Sequence, residues 1–184
     1  MTCKPYPLLI LFAIALTLPL TPIVVHARSY TNHTFLGAHD APFIGSLPQH
    51  NQNLNITAQL DLGIRFLQAQ THRSIDDPDN RLQLCHSSCL LEDGGSLEDF
   101  LRLVKGWLLL DGHEEDLVTL LLTNGDNVDV GLFAQAFEGS GVDELVYMPE
   151  TDGLDAWPST EEMVDKGKRV VVFLGMYACL QRPY

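Results

Sequence analysis

Two histidines, His39 and His86, stand at positions where they could transfer protons in a catalytic reaction. Each directly follows a short stretch with the pattern of a β-strand, at 34–38 and 82–85. An imidazole ordinarily titrates at about pH 6.5, so one such group can take the proton of an attacking hydroxyl while a second protonates a leaving oxygen. A single histidine is more often a surface or core residue, so the prediction of a catalytic site rests on the pair.

Polar side chains accompany these histidines. Asp40 follows His39 directly, and Gln68 and Gln70 alternate along a predicted strand at 64–71, so that their side chains share one face of it. We expect these three residues to bind substrate, although Asp40 could instead satisfy backbone donors in its own loop. Polar residues at the carboxyl ends of strands form the active site of (β/α) barrels, which favours an enzyme-like site here.

The cysteines on either side of His86 predict a local crosslink. In an oxidising compartment Cys85 and Cys89 would form a small disulfide that stiffens the backbone presenting the histidine. A zinc site formed by Cys85, His86 and Cys89 is the alternative, but the chain lacks a second ligand pair with matching spacing. Cys179 has no evident partner in the sequence.

Strand-like and helix-like stretches alternate along the chain, which is typical of βα units and a parallel sheet. Five strands are predicted, at 34–38, 64–71, 82–85, 117–123 and 170–174. Helices are predicted after the cap Asn55 and at 97–110, 128–137 and 161–166, with Ser96 and then Ser159 or Thr160 as further caps. Arg65 precedes Gln68 by an odd number of residues, so it points to the opposite strand face and takes a structural role.

The N-terminus has the pattern of a secretory signal peptide. An apolar stretch at 8–20 follows Lys4, and small residues up to Ala27 suit cleavage there. A membrane anchor is the alternative, but Pro19 and Pro22 interrupt an apolar run that is short for a bilayer. We therefore expect residues 1–27 to be removed and the protein to be secreted, with glycosylation sequons at Asn32 and Asn55 consistent with that route.

Composition restricts the partners of the mature chain, which we expect to be one domain at 28–184. The formal net charge is −13, and Lys4 is the sole charged residue of the predicted signal peptide. This acidity argues against binding to nucleic acid and against tight docking on an anionic membrane. We expect a monomer with at most transient contact with a membrane surface.

Three segments resemble the X region of phosphatidylinositol-specific phospholipases C: GAHD at 37–40, QLDLGIRF at 59–66 and LCH at 84–86. The similarity extends over about 34–173 and is greatest to secreted fungal phospholipase-C-like phosphodiesterases. It implies a TIM-type (β/α) barrel and cleavage of an inositol phospholipid or related phosphodiester. By this resemblance His39 would be the general base and His86 the general acid.

The sequence departs from that family pattern in two ways. Gln68 and Gln70 stand where bacterial members have Asp and Arg and calcium-dependent relatives have carboxylates. Glutamine supplies neither a cation nor a hard anionic ligand, so we expect no metal cofactor. A complete barrel needs about 250 residues, so we expect the N-terminal part of one, with about five of eight strands.

Three functions stay open from the sequence. The first is a phosphodiesterase that uses His39 and His86. The second is a catalytically weak or inert secreted protein that binds an inositol or sugar phosphate through Gln68 and Gln70. The third is a truncated remnant without a ligand. Three further histidines, His33, His50 and His72, are interpreted as surface residues, and of these only His72 is close enough to the end of the strand at 64–71 to be reconsidered.

Overall fold

The computed structural model describes residues 28–150, 153 and 157–176. The predicted signal peptide at 1–27 and Cys179 lie outside the described residues. Six strands and four α-helices are present in the described ranges. The strands are β1 Gly37–Ala38, β2 Phe66–Arg73, β3 Leu82–Cys85, β4 Asp93–Ser96, β5 Val118–Asn124 and β6 Val170–Met176. The helices are α1 Ile56–Asp61, α2 Leu97–Leu108, α3 Val130–Ser140 and α4 Thr160–Asp165.

The strands form one mixed sheet that is open in the part of the chain described. Their order is β4-β3-β2-β5-β6, with β1 also paired to β2. Strands β1, β2, β5 and β6 are parallel, as predicted. The prediction of a parallel third strand is wrong, because β3 pairs antiparallel with β2 and β4 antiparallel with β3.

The short connection between β2 and β3 explains the antiparallel pairing. A crossover between parallel strands takes a dozen or more residues, and only residues 74–81 separate these two strands. The connection turns back sharply, with the amide of Ser74 donating to the carbonyl of Arg81 at 2.9 Å. Consequently β3 returns along β2 in the opposite direction.

Two strand ends converge along one edge of β2. Strand β1 pairs with Phe66 and Leu67, while β3 pairs with Thr71, His72 and Arg73 on the same edge. The other edge of β2 is occupied by β5. Because β1 and β3 approach from opposite ends, the residues that follow each of them meet beside the middle of β2. The space between the end of β1 and the end of β3, beside the middle of β2, is called the gap, and the candidate site lies there.

Helices α2 and α3 cover one face of the sheet and form the main core. The apolar residues of α2 recur at helical spacing and are buried, and Ser96 caps this helix by accepting from the Asp99 amide at 3.0 Å. They pack in one cluster with the buried strand residues Leu67, Ala69, Leu120 and Leu122. Gln68 and Gln70 alternate with these residues and therefore face away from the helices.

Arg65 has the structural role that the sequence predicts. Its guanidinium lies 2.8 Å from Asp116 Oδ1 and 4.7 Å from the ring of Trp107, at the start of β2 and far from the histidines along the strand. The indole of Trp107 donates to Asp61 at 2.7 Å. This cluster joins the end of α2 to the strands β2 and β5.

None of the helices in the described ranges is both long enough and apolar enough to cross a membrane.

Candidate active site

Asp40 lies at the centre of the gap and is fully buried. Its backbone has φ of 49°, in the left-handed region, directly after β1. Its amide donates to Gln68 Oε1 at 2.7 Å, and the next amide, of Ala41, donates to the Gln68 carbonyl at 2.8 Å. Gln68 therefore holds the loop after β1 at two points, which compensates for the strained backbone.

Both candidate catalytic histidines reach the same oxygen of Asp40. His39 Nδ1 lies 3.2 Å from Asp40 Oδ2, and His86 Nε2 lies 3.5 Å from it. The His39 side chain is 72% exposed and that of His86 is 30% exposed. The two imidazoles thus converge on one buried carboxylate while each keeps a side open to solvent.

Gln70 joins the two loops that carry the histidines. Its Nε2 donates to both carboxylate oxygens of Asp40 at 3.2 Å, and its Oε1 accepts from the Ser87 amide at 3.4 Å. The structure therefore brings all five predicted site residues together in one place. The substrate-binding role predicted for Asp40, Gln68 and Gln70 stays a prediction, because the contacts observed are with one another and with the protein backbone.

The loop after β3 is closed by the predicted disulfide, Cys85–Cys89. Both sulfurs are bonded to each other, so the zinc alternative that used them as thiolate ligands is wrong. Inside the crosslink Ser87 adopts φ of 63°, and the His86 amide donates to the carbonyl of Glu92 at 3.3 Å. The backbone that presents His86 is thereby fixed on both sides.

The long loop between β1 and α1 packs against the site from the other side. Asn51 Nδ2 lies 3.3 Å from His39 Nδ1, and Gln52 donates to the His39 carbonyl at 2.7 Å. His50 Nε2 lies 3.1 Å from Glu92, with their side chains 15% and 9% exposed. The interpretation of His50 as a surface residue is therefore wrong, because it connects this loop to the one that follows His86.

A cavity of about 350 Å³ opens next to His86. It is lined by residues of both loops: Gln49, His86, Ser87, Leu91 and Glu92. The cavity therefore places a partly exposed imidazole beside open space, which a general acid requires.

A second histidine–carboxylate pair, at the carboxyl ends of β2 and β5, was not predicted from the sequence. His72 Nδ1 lies 3.0 Å from Asp126 Oδ1, and the Arg73 amide donates to Asp126 Oδ2 at 2.7 Å. Burial raises the pKa of Asp126, but the hydrogen bonds from Arg73 and His72 outweigh it, and the pKa lies below its ordinary value. The His72 side chain is only 17% exposed, so its interpretation as a surface residue is also wrong. Its even spacing from Gln68 and Gln70 was the signal that it shares their strand face.

Across the described ranges, no group of three or more His, Cys, Asp or Glu side chains could hold a metal ion. The amide oxygens at the two glutamine positions are engaged, since Gln68 Oε1 accepts from the Asp40 amide and Gln70 Oε1 from the Ser87 amide. These neutral, engaged amides do not fit a calcium site, which requires free and mostly anionic oxygen ligands.

The two predicted glycosylation sites are both on the surface. Asn32 is exposed, and the exposed Asn55 caps α1 by accepting from the Ala58 amide at 2.9 Å. This cap uses the side-chain oxygen, whereas a glycan is attached to the nitrogen. Glycosylation at both positions stays a prediction.

The helices and the mixed sheet define an α/β fold. It is similar to the solved structure of the N254Y/H258Y double mutant of the phosphatidylinositol-specific phospholipase C from S. aureus, with a TM-score of 0.62 and 19% sequence identity. The similarity covers 82% of this chain and 49% of the other. At this identity it establishes the fold.

Residues 25–182 match the model of the PI-PLC X family, described as PI-PLC X 1, and the chain belongs to this family. Two curated relatives are from Arthroderma benhamiae. A PI-PLC X domain-containing protein 1 is 44% identical over 85% of this chain and 51% of its own length. An uncharacterized secreted protein is 41% identical over 80% of this chain and 33% of its own length. The chain thus spans about half of the first relative and a third of the second.

Proposed function

We propose that this protein is a secreted phosphoric diester hydrolase of the phospholipase C type, acting on an inositol phospholipid or a related phosphodiester. The observation that carries this proposal is the convergence of His39 and His86 on Asp40 Oδ2, at 3.2 and 3.5 Å. Two imidazoles around one buried carboxylate supply both a proton acceptor and a proton donor. Membership of the PI-PLC X family supports phosphodiester chemistry, and such an activity would belong to lipid metabolism.

In this mechanism His39 is the general base. Its Nδ1 carries a proton that is donated to Asp40, so the 3.3 Å approach of Asn51 Nδ2 is not a hydrogen bond to this nitrogen. Nε2 of this exposed ring is then left to take the proton of the attacking hydroxyl. The charge that develops on the imidazole is stabilised by the Asp40 carboxylate, which lies in a buried environment where electrostatic interactions are stronger. Asp40 thus acts through the histidine.

His86 is the general acid. Its Nε2 faces Asp40, and in this proposal the other ring nitrogen, Nδ1, carries the proton that passes to the leaving oxygen of the phosphodiester. The ring also lines the cavity of about 350 Å³. As the attacking oxygen bonds to phosphorus and the bond from phosphorus to the leaving oxygen breaks, His39 removes one proton from the attacking hydroxyl and His86 delivers one to the leaving oxygen. Its positive charge before that transfer also stabilises the nonbridging phosphate oxygens.

We propose that this chemistry proceeds without a metal ion. Support comes from Gln68 and Gln70, whose oxygens accept from backbone amides and carry no formal charge. The imidazoles themselves then provide the cationic charge that phosphoryl transfer requires.

We further propose that the protein is secreted. The apolar segment at 8–20 has the pattern of a signal peptide, and the Cys85–Cys89 disulfide suits an oxidising compartment. One relative is named a secreted protein.

A second candidate function is binding of an inositol or sugar phosphate without turnover. The observation that favours it is the replacement of charged family residues by Gln68 and Gln70, which stabilise phosphate charge less effectively than a cation. Calorimetric phosphate-ligand binding together with absent turnover in a cooperatively folded sample would establish this function instead.

The test measures turnover of a soluble inositol phosphodiester by the full chain, with and without a chelator. His39→Ala and His86→Ala are each expected to lower kcat by about a hundredfold or more, since general acid–base catalysis contributes on the order of 10²–10⁴. His33→Ala is the matched control, because this imidazole stacks on Phe35 before β1 and away from Asp40. Unchanged activity in His86→Ala would refute the proposal, and loss of activity with the chelator would refute its metal-independent form.

A further inference from the structure

Gln70 occupies a position between the two histidine-bearing loops rather than at the open side of the site. The loop after β1 contributes Asp40, and the loop after β3 contributes the Ser87 amide. These loops come from strands that do not pair with each other, and Gln70 lies on β2 between their ends. Its side chain is therefore a bridge across the gap.

The hydrogen-bonding capacity of Gln70 is used in this bridge. Its amide nitrogen donates to Asp40 Oδ1 and Oδ2, both at 3.2 Å, and its oxygen accepts from Ser87 at 3.4 Å. A buried carboxylate such as Asp40 requires donors, because leaving it unsatisfied is energetically unfavourable. Binding a phosphate oxygen through this amide would remove a donor from Asp40.

The neutral charge of Gln70 also matters at this position. A carboxylate there would repel Asp40 and could not donate to it. An uncharged amide orients the carboxylate and leaves its charge available to His39 and His86.

We propose that Gln70 is a positioning residue that fixes the His39–Asp40 loop relative to the His86–Ser87 loop, and that it does not bind the phosphate. This inference rests on the proposed function, because its catalytic consequence requires that the two histidines act together. Its structural consequence, the joint placement of both imidazoles, can be measured without turnover.

The first variant is Gln70→Met, which keeps the length of the side chain and removes both hydrogen-bonding groups. We expect kcat to fall by about tenfold to a hundredfold, as for loss of hydrogen bonds to a charged group, with KM changed by less than about threefold. The control is Gln83→Met on β3, whose side chain accepts from the Ile75 amide at 3.3 Å away from Asp40. A rise in KM with unchanged kcat would overturn the proposal in favour of substrate binding.

The second variant is Gln70→Glu, which tests the requirement for a donor. Near neutral pH the introduced carboxylate repels Asp40, and we expect activity to fall below that of Gln70→Met. On acidification the introduced carboxyl gains a proton that it can donate to Asp40, so the variant's activity relative to wild type should rise. A ratio that does not vary with pH would contradict this role.

The imidazole NMR resonances of His39 and His86 provide the measurement that does not depend on activity. We expect Gln70→Met to shift both sets of resonances, and Gln83→Met to shift neither. If wild type shows no turnover but both imidazoles respond, the proposed function fails while the positioning role of Gln70 stands. If the resonances of His39 and His86 do not change in Gln70→Met, the inference is overturned whatever the activity.

Discussion

His86 Nε2 lies 3.5 Å from Asp40 Oδ2, although the strands that precede these residues run in opposite directions along β2. The approach is possible because β1 ends beside Leu67 and β3 ends before it reaches the same position. The site is therefore formed by two strand ends that face each other, with the polar face of β2 beneath them.

Asp40→Asn should impair catalysis more than stability. The substitution keeps the shape of the side chain but removes the charge that stabilises an imidazolium, and it places an amide donor near the donor of Gln70. We expect kcat to fall by at least about tenfold in steady-state assays, since an opposite charge within a few ångströms favours the protonated imidazole. Asp79→Asn, in the exposed turn between β2 and β3, is the control, and equal activity in the two variants would contradict the role of Asp40.

The Cys85–Cys89 disulfide should maintain the position of His86. The double variant Cys85→Ala/Cys89→Ala is expected to lose about 2 kcal/mol of unfolding free energy, as for closure of a short loop. Its kcat should also decrease, because Ser87 would be free to leave its left-handed conformation. Treatment of wild type with a thiol reductant should reproduce the loss of kcat, and full activity in the reduced protein would show that the crosslink does not position His86.

Much of this site was predictable because it depends on local pattern. Alternation along β2 placed Gln68 and Gln70 on one face, and residue type together with position after a strand identified His39 and His86. The close spacing of Cys85 and Cys89 predicted their disulfide.

The rest of the site depends on pairings between distant segments, which a single sequence does not encode locally. β4 was missed because its residues, Asp-Gly-Gly-Ser, have no apolar alternation and form a strand by pairing with β3. The contact between His50 and Glu92 likewise requires two loops to meet. Both histidines contact Asp40 because β3 returns antiparallel along β2. A parallel sheet, as predicted, does not contain this return.

Asp126 should make stability depend on pH in the acidic range. Its pKa is lower in the folded protein than its ordinary value, so the unfolded chain binds this proton more readily. The stabilisation is fully present above about pH 4 and is lost as the pH falls through the lower folded value. Asp126→Asn should therefore lower the Tm at pH 7, and the difference from wild type should shrink as the pH is lowered below about 4. A difference in Tm that does not change with pH over this acidic range would contradict this assignment.

Arg65→Met should reduce stability without altering the chemical step. The variant removes the pairing with Asp116 and the stacking on Trp107, and it leaves a partly buried carboxylate without its cation. We expect a loss of about 1–3 kcal/mol in denaturant unfolding. The kcat at a temperature where the variant is folded should equal that of wild type, and a lower kcat there would indicate a connection between this end of β2 and the histidines.

Comparing the single variants His39→Ala and His86→Ala with the double variant tests most directly whether the two histidines act as one catalytic unit. Each kcat/KM would be measured on the same soluble inositol phosphodiester. Because residues that act as a unit are strongly non-additive, the double variant is predicted to be no more than about threefold less active than either single variant. Multiplicative losses in the double variant, or a single variant that retains wild-type activity, would contradict joint catalysis by His39 and His86.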